Sequence, residues 1–76
     1  MSINIKDEYR RLCLFFERKI IVHVSTIRES NFWCNGLILE LGEDFFIIKD
    51  RQDGKEHYIL FSELKNSVEQ FREVGE

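Results

Sequence analysis

Asn31 to Asp50 holds the feature that most limits how this chain can fold. It reads Asn-Phe-Trp-Cys-Asn-Gly-Leu-Ile-Leu-Glu-Leu-Gly-Glu-Asp-Phe-Phe-Ile-Ile-Lys-Asp. A long apolar run carries Gly36 at its middle, Gly42-Glu-Asp44 interrupts it, and a second apolar run ends in charge. Two strands joined by a tight connection follow from that pattern. The first run is apolar on both faces, so each face needs cover. Glycine within a strand marks a bulge, a bend or a close approach of backbone. A long strand with such a glycine is how a small barrel lets one strand serve both halves of its sheet.

The flanking segments supply the other elements. Asn4 to Arg18 reads as an amphipathic helix, with Ile5, Tyr9, Leu12, Cys13 and Phe16 along one stripe. Ser2 or Asn4 can cap it, Asp7 and Glu8 suit its first turn, and Arg18 and Lys19 suit its end. Leu14 falls nearly opposite the stripe and Phe15 at its edge, in contact with a partner or with residues beneath the last turn. Ile20 to Ile27 is rich in β-branched residues and reads as a strand, with Ile20, Val22 and Val24 on one face and Ile21, His23 and Ser25 on the other. Arg28-Glu-Ser-Asn31 makes a turn, Phe32 to Leu41 a second strand, and Phe45 to Lys49 a third. Asp53-Gly54 is the strongest hairpin signal, and Glu56 to Phe61 is the strand it returns. Ser62-Glu-Leu-Lys65 reads as a short turn. Beyond it Leu64, Val68, Phe71 and Val74 have helical spacing, while Asn66 to Gln70 suits a brief strand before a charged tail; the strand is preferred.

One domain of 76 residues accommodates these elements. A chain so short supports one modest core, and oligomerisation is a common supplement. At 43% apolar residues the chain has enough for a packed globule. The net charge of −3 is uneven. Residues 1–31 carry six basic and four acidic side chains, and the remainder five and ten. A polyanion site must therefore be local and N-terminal. No run of about 18 apolar residues could span a bilayer. The segment around Lys6, Asp7 and Glu8 lacks the apolar stretch of a signal peptide, so a cytoplasmic protein is expected.

Catalytic groups are sparse. His23 and His57 are the two histidines, and no nucleophile with a positioned base and orienting carboxylate emerges from the sequence. Cys13 and Cys34 have no metal-ligand spacing; two buried free thiols are expected ahead of a disulfide. Asp50 to Gly54 lacks the alternating ligands and downstream Glu of a calcium loop, and a hairpin turn accounts for it. No enzyme, cofactor or metal site is expected.

A helix followed by five short antiparallel strands, the second of them bent, is the plan of a small SH3-like barrel. Phe32 to Asp50 resembles the first motif of the Sm/LSm/Hfq family, Gly36 falling on the motif's glycine and Phe45-Phe-Ile-Ile-Lys-Asp50 being similar to Hfq's third strand. His57-Tyr-Ile-Leu-Phe-Ser-Glu-Leu64 looks like the second motif, with Ser62 and Leu64 matching its ending, and the helix ending Glu17-Arg-Lys19 also fits. The resemblance covers most of the chain and rests mainly on apolar pattern. It implies a mostly β fold: a helix at about 4–18, a strongly bent five-stranded antiparallel Sm-like barrel at about 19–70, and a charged tail at 71–76. It also implies a homo-oligomer, with a ring as one form, that binds RNA.

The chain departs from the family where bases are read. Gly42 and Phe46 stand at the aspartate and asparagine positions of the first motif, and Tyr58-Ile59 or Ile59-Leu60 replaces the polar pair of the second. RNA contact is therefore expected through phosphates and stacking, at Arg10, Arg11, Arg18, Lys19, His57 and Tyr58. Trp33, Phe45, Phe46, Ile59 and Phe61 are the expected oligomer interface. The alternative is an Sm-fold module for protein–protein assembly without RNA.

Overall fold

A computed structural model of the chain describes residues 5–28 and 32–71. The expected cap at Ser2 or Asn4, the side chain of Ile5, most of the Arg28–Asn31 turn and the charged tail beyond Phe71 lie outside the described residues. Helix α1 (Ile5–Arg18) is followed by β1 (Val22–Ser25), β2 (Trp33–Leu41), β3 (Phe45–Asp50), β4 (Glu56–Leu60), a 3-10 turn (Phe61–Glu63) and β5 (Glu69–Gln70). The protein is thus mostly β, one helix preceding a five-stranded antiparallel sheet.

Helix α1 ends where Lys19 takes the left-handed conformation, at φ 54°. The Lys19 N–H donates to the Phe16 carbonyl at 3.3 Å and the Ile20 N–H to the Phe15 carbonyl at 3.0 Å. These bonds satisfy carbonyls that the helix end would otherwise leave open. The buried stripe is Glu8, Leu12 and Phe15: Leu12 lies on it as expected, Glu8 and Phe15 take the places expected of Tyr9 and Phe16, and Cys13 is half-buried. Tyr9 and Phe16 are instead exposed. A carboxylate can occupy the inner face because Glu8 Oε2 accepts the Val68 backbone N–H at 2.7 Å.

The sheet order is β4-β3-β2-β1-β5. β2 pairs with β1 through Trp33–Gly36 and with β3 through Gly36–Leu41, so it passes from one neighbour to the other at Gly36. A Cβ on Gly36 would lie 1.8 Å from the Lys49 carbonyl oxygen, a separation no side chain tolerates. A register shift between Ile38 and Glu40 follows, and Leu39 emerges there onto the surface. At the β3–β4 connection Gly54 adopts φ +74°, the conformation that makes Asp-Gly a hairpin signal.

The sheet is not the closed barrel expected, because β4 and β5 are its two edges. The chain after β4 spends its backbone hydrogen bonds elsewhere. Leu64 bridges Thr26, the Lys65 N–H donates to the Ser25 carbonyl at 2.9 Å, and the Ile27 N–H donates to the Glu63 carbonyl at 2.8 Å. Among the described residues after β4, only Glu69 and Gln70 then form a ladder, and they form it on β1. Within the fold, Leu12 and Phe15 of the helix belong to one buried cluster with Val22, Val24, Cys34, Ile38, Phe46, Ile48 and Ile59 of the strands and Phe61, Leu64 and Val68 beyond them.

Candidate functional site

Strand alternation separates the aromatic residues. Ile47 stands opposite Tyr58 on the outer face and Phe46 opposite Ile59 on the inner one. The Phe45 and Tyr58 rings stack at 4.6 Å between centroids and 13° between planes. Tyr58 is 51% exposed and Trp33 56%. By contrast, Phe46 and Ile59 are 0% exposed and Phe61 5%. Those three were expected at an interface and are core residues instead, Phe61 packing its ring against Phe46 at 5.9 Å. In strands apolar on both faces, side-chain type does not say which face turns inward. Of the five, Trp33 and Phe45 remain within a partner's reach.

The helix cations are dispersed. Arg10 lines a recess with Lys6, Tyr9 and Glu43. Arg11 lines another with Phe15, Glu69 and Gln70, its Nη2 donating to the Val68 carbonyl at 2.7 Å and its guanidinium 5.5 Å over the Phe15 ring. Lys19 lines a third with Phe16, Glu17, Leu37 and Leu39, and Arg18 is exposed on the last helical turn. Each recess places a carboxylate beside its cation, which weakens the local field available to a polyanion.

Arg28 was not singled out from the sequence, and it serves the fold. Its Nε donates to Glu63 Oε2 at 2.6 Å and its Nη2 to Glu63 Oε1 at 3.3 Å, while Nη2 also reaches the Tyr58 carbonyl. Glu63 Oε1 in turn accepts the Leu60 N–H at 3.0 Å. The Arg28 hydrogen bond, helped by the Leu60 N–H, holds the Glu63 carboxyl below its ordinary range. The pair ties the end of β1 to the sheet edge at β4. Its partners are 35 positions apart, and no sequence spacing announces it.

On β1 and β2, a hydrogen-bonded chain runs along the outer face. The Ser25 hydroxyl lies 3.2 Å from His23 Nε2, and His23 Nδ1 lies 2.6 Å from Asn35 Oδ1. An amide oxygen at Nδ1 assigns the proton to that nitrogen, leaving Nε2 to accept from Ser25. The Trp33 ring tilts over His23 at 5.9 Å, and these residues with Thr26 and Lys65 line a groove of about 340 Å³. The hydroxyl–imidazole–amide order matches that of a nucleophile with its base. However, the adjacent amides of Thr26 and Ile27 donate to the Phe32 and Glu63 carbonyls and offer no oxyanion hole.

His57 was expected to contact RNA beside Tyr58, but it faces the other way. It stands opposite Ile48 on the inner face, its ring centroid 4.8 Å from that of Phe32. Its Nε2 is buried without a hydrogen-bond partner. An unsatisfied buried polar atom costs about 1–3 kcal/mol. The carboxylates of Asp50 and Asp53 each bring an oxygen to His57, the three ligand-type atoms lying within 4.8 Å of one another. The hairpin places these groups together, although the sequence shows Asp50 and Asp53 only as turn residues. Nearby, burial pushes the Cys34 thiol up to about 11, and the charges of Asp50 and Asp53 add to that rise.

These observations define a small, mostly β domain with exposed aromatic residues, an unclosed sheet and, among the described residues, one convergent histidine–carboxylate cluster. No protein-family model matches the chain, and no curated protein matches it. Among the described residues, no helix is long and apolar enough to cross a membrane.

Proposed function

We propose that the chain is an Sm-like module, its five-stranded sheet open rather than closed into a barrel, that self-associates and binds RNA in the cytoplasm. The observation that carries this reading is β2, which pairs with β1 before Gly36 and with β3 after it. The family resemblance implies that division of one bent strand between two halves of a sheet. Self-association would use the two edge strands, β4 and β5, at opposite ends of the strand order, with Arg28 and Glu63 giving up the Tyr58 carbonyl and the Leu60 N–H that they hold on β4. Joining one edge to the other in a neighbour is a head-to-tail contact, which closes into a ring when the rotation permits. RNA would stack on the exposed ring of Tyr58, already backed by Phe45. Arg10, Arg18 and Lys19 would meet phosphates, whereas Arg11 is engaged with Val68.

A second reading is favoured by the carboxylates beside the helix cations: an assembly module for protein partners without RNA. Light scattering gives the oligomeric state, and fluorescence anisotropy with oligo(U) and oligo(A) at low and moderate salt separates the readings. RNA binding should steepen as salt falls, and Tyr58→Ala should cost about 1–3 kcal/mol if one base stacks there. No binding at low salt removes RNA from the function and leaves assembly.

A further inference from the structure

We propose that Asp50, Asp53 and His57, at the closed end of the β3–β4 hairpin, bind a divalent transition-metal ion, zinc in the first instance. One ligand-type atom from each residue lies within 4.8 Å of the others, a spacing that an ion can draw together. The second observation is independent of that clustering. His57 Nε2 exposes less than 1 Å² and has no hydrogen-bond partner. Coordination through Nε2, the nitrogen left without a partner, would satisfy it, and the Phe32 ring packs against the imidazole with 4.8 Å between centroids.

The surrounding chain supports a preformed site. Asp50 Oδ1 accepts the Gln52 N–H and Asp53 Oδ1 the Lys55 N–H, both at 2.8 Å, so each carboxylate is oriented through one oxygen and retains a second. Asp50 is itself anchored at both backbone groups, its N–H donating to the Lys55 carbonyl and its carbonyl accepting the Gly54 N–H. Asp53 is exposed, which gives an ion a route from solvent and leaves a position for water. Two carboxylates with one imidazole suit zinc and its first-row neighbours, whereas magnesium and calcium prefer oxygen alone. Nothing in this site depends on RNA or on self-association.

Calorimetric titration of the full chain with zinc chloride, beside magnesium chloride, tests the assignment. The expected result is one zinc per chain and no saturable magnesium binding. Asp53→Asn, on the exposed loop, should weaken zinc binding by roughly tenfold or more, since even residues supporting a ligand cost that much when lost. Histidine ring nitrogen NMR should show zinc moving the His57 Nε2 resonance and leaving His23 unmoved. No binding, binding indifferent to Asp53→Asn, or a response at His23 in place of His57 would each overturn the proposal. The NMR readout needs no His57 variant, so it stands even where His57→Ala fails to fold.

Discussion

Glu8 and Val68 are joined across 60 positions of sequence: Glu8 Oε2 accepts the Val68 N–H at 2.7 Å inside the protein. One turn along the helix, Arg11 Nη2 donates to the Val68 carbonyl at 2.7 Å. Both backbone groups of Val68 are thus held by α1, and its side chain is fully buried. This grip fixes the segment leading to β5, whose own ladder is only two residues long. Glu8→Ala should leave a buried amide without an acceptor and destabilise the fold by about 2 kcal/mol. Urea denaturation measures the loss, and amide exchange should show Val68 unprotected first. Glu8→Gln keeps an acceptor oxygen and should recover much of the stability.

Gly36→Ala should be far more damaging than an ordinary strand substitution. The added methyl would meet the Lys49 carbonyl oxygen, a backbone atom that cannot rotate aside. A cost of at least ~3 kcal/mol is expected, at the upper end for overpacking. Circular dichroism during thermal unfolding reads it directly. A variant as stable as the parent would show that β2 can exchange neighbours without this close approach.

Lys19→Gly should leave stability unchanged or raise it by about 0.5–1 kcal/mol, because glycine adopts the left-handed helix-ending conformation without the steric penalty of a side chain. The same change removes a proposed phosphate contact. Oligonucleotide affinity that falls while the melting temperature holds or rises would separate binding from folding at this position.

The Arg28–Glu63 pair makes stability depend on acid pH. A carboxyl held below its ordinary range stabilises the fold in full above its unfolded pKa. That contribution is lost as pH falls through the lowered folded value. Arg28 is raised from an already high value and stays charged throughout this window. Glu63→Gln should therefore flatten the acid limb of the stability–pH curve, with little effect on its shape above neutrality. A limb of unchanged slope would assign the acid dependence to other carboxylates.

Cys13 and Cys34 should differ sharply in reactivity. Cys34 is buried with its thiol raised to about 11, so it presents almost no thiolate at neutral pH. Cys13 is only partly buried. Iodoacetamide followed by mass spectrometry should mark Cys13 in the native protein, with Cys34 labelled only as the chain unfolds.

Much of the fold is legible one residue at a time. The β-branched run before Arg28, the apolar runs on either side of Gly42 and the Asp53-Gly54 turn became β1, β2, β3 and the β3–β4 hairpin, within a residue or two at most strand ends. The helix was legible in extent and only partly in facing: Leu12 was placed inward from its spacing, but a buried carboxylate at Glu8 looks like a solvated first-turn acid until Val68 is found beside it. Phe46, Ile59 and Phe61 look, by type, like interface aromatics and aliphatics; their place in the core appears only once the register is known.

Local backbone preference and the alternation of apolar residues therefore determined, from the sequence alone, which segments became helix, strand and turn. Those preferences act between near neighbours and need no knowledge of the rest of the chain. Tertiary structure alone decided that the sheet stays open, that Tyr58 turns outward while His57 turns inward, and that His57 meets Asp50 and Asp53. Each of those outcomes depends on which distant backbone groups pair, and strand register is a property of two segments together.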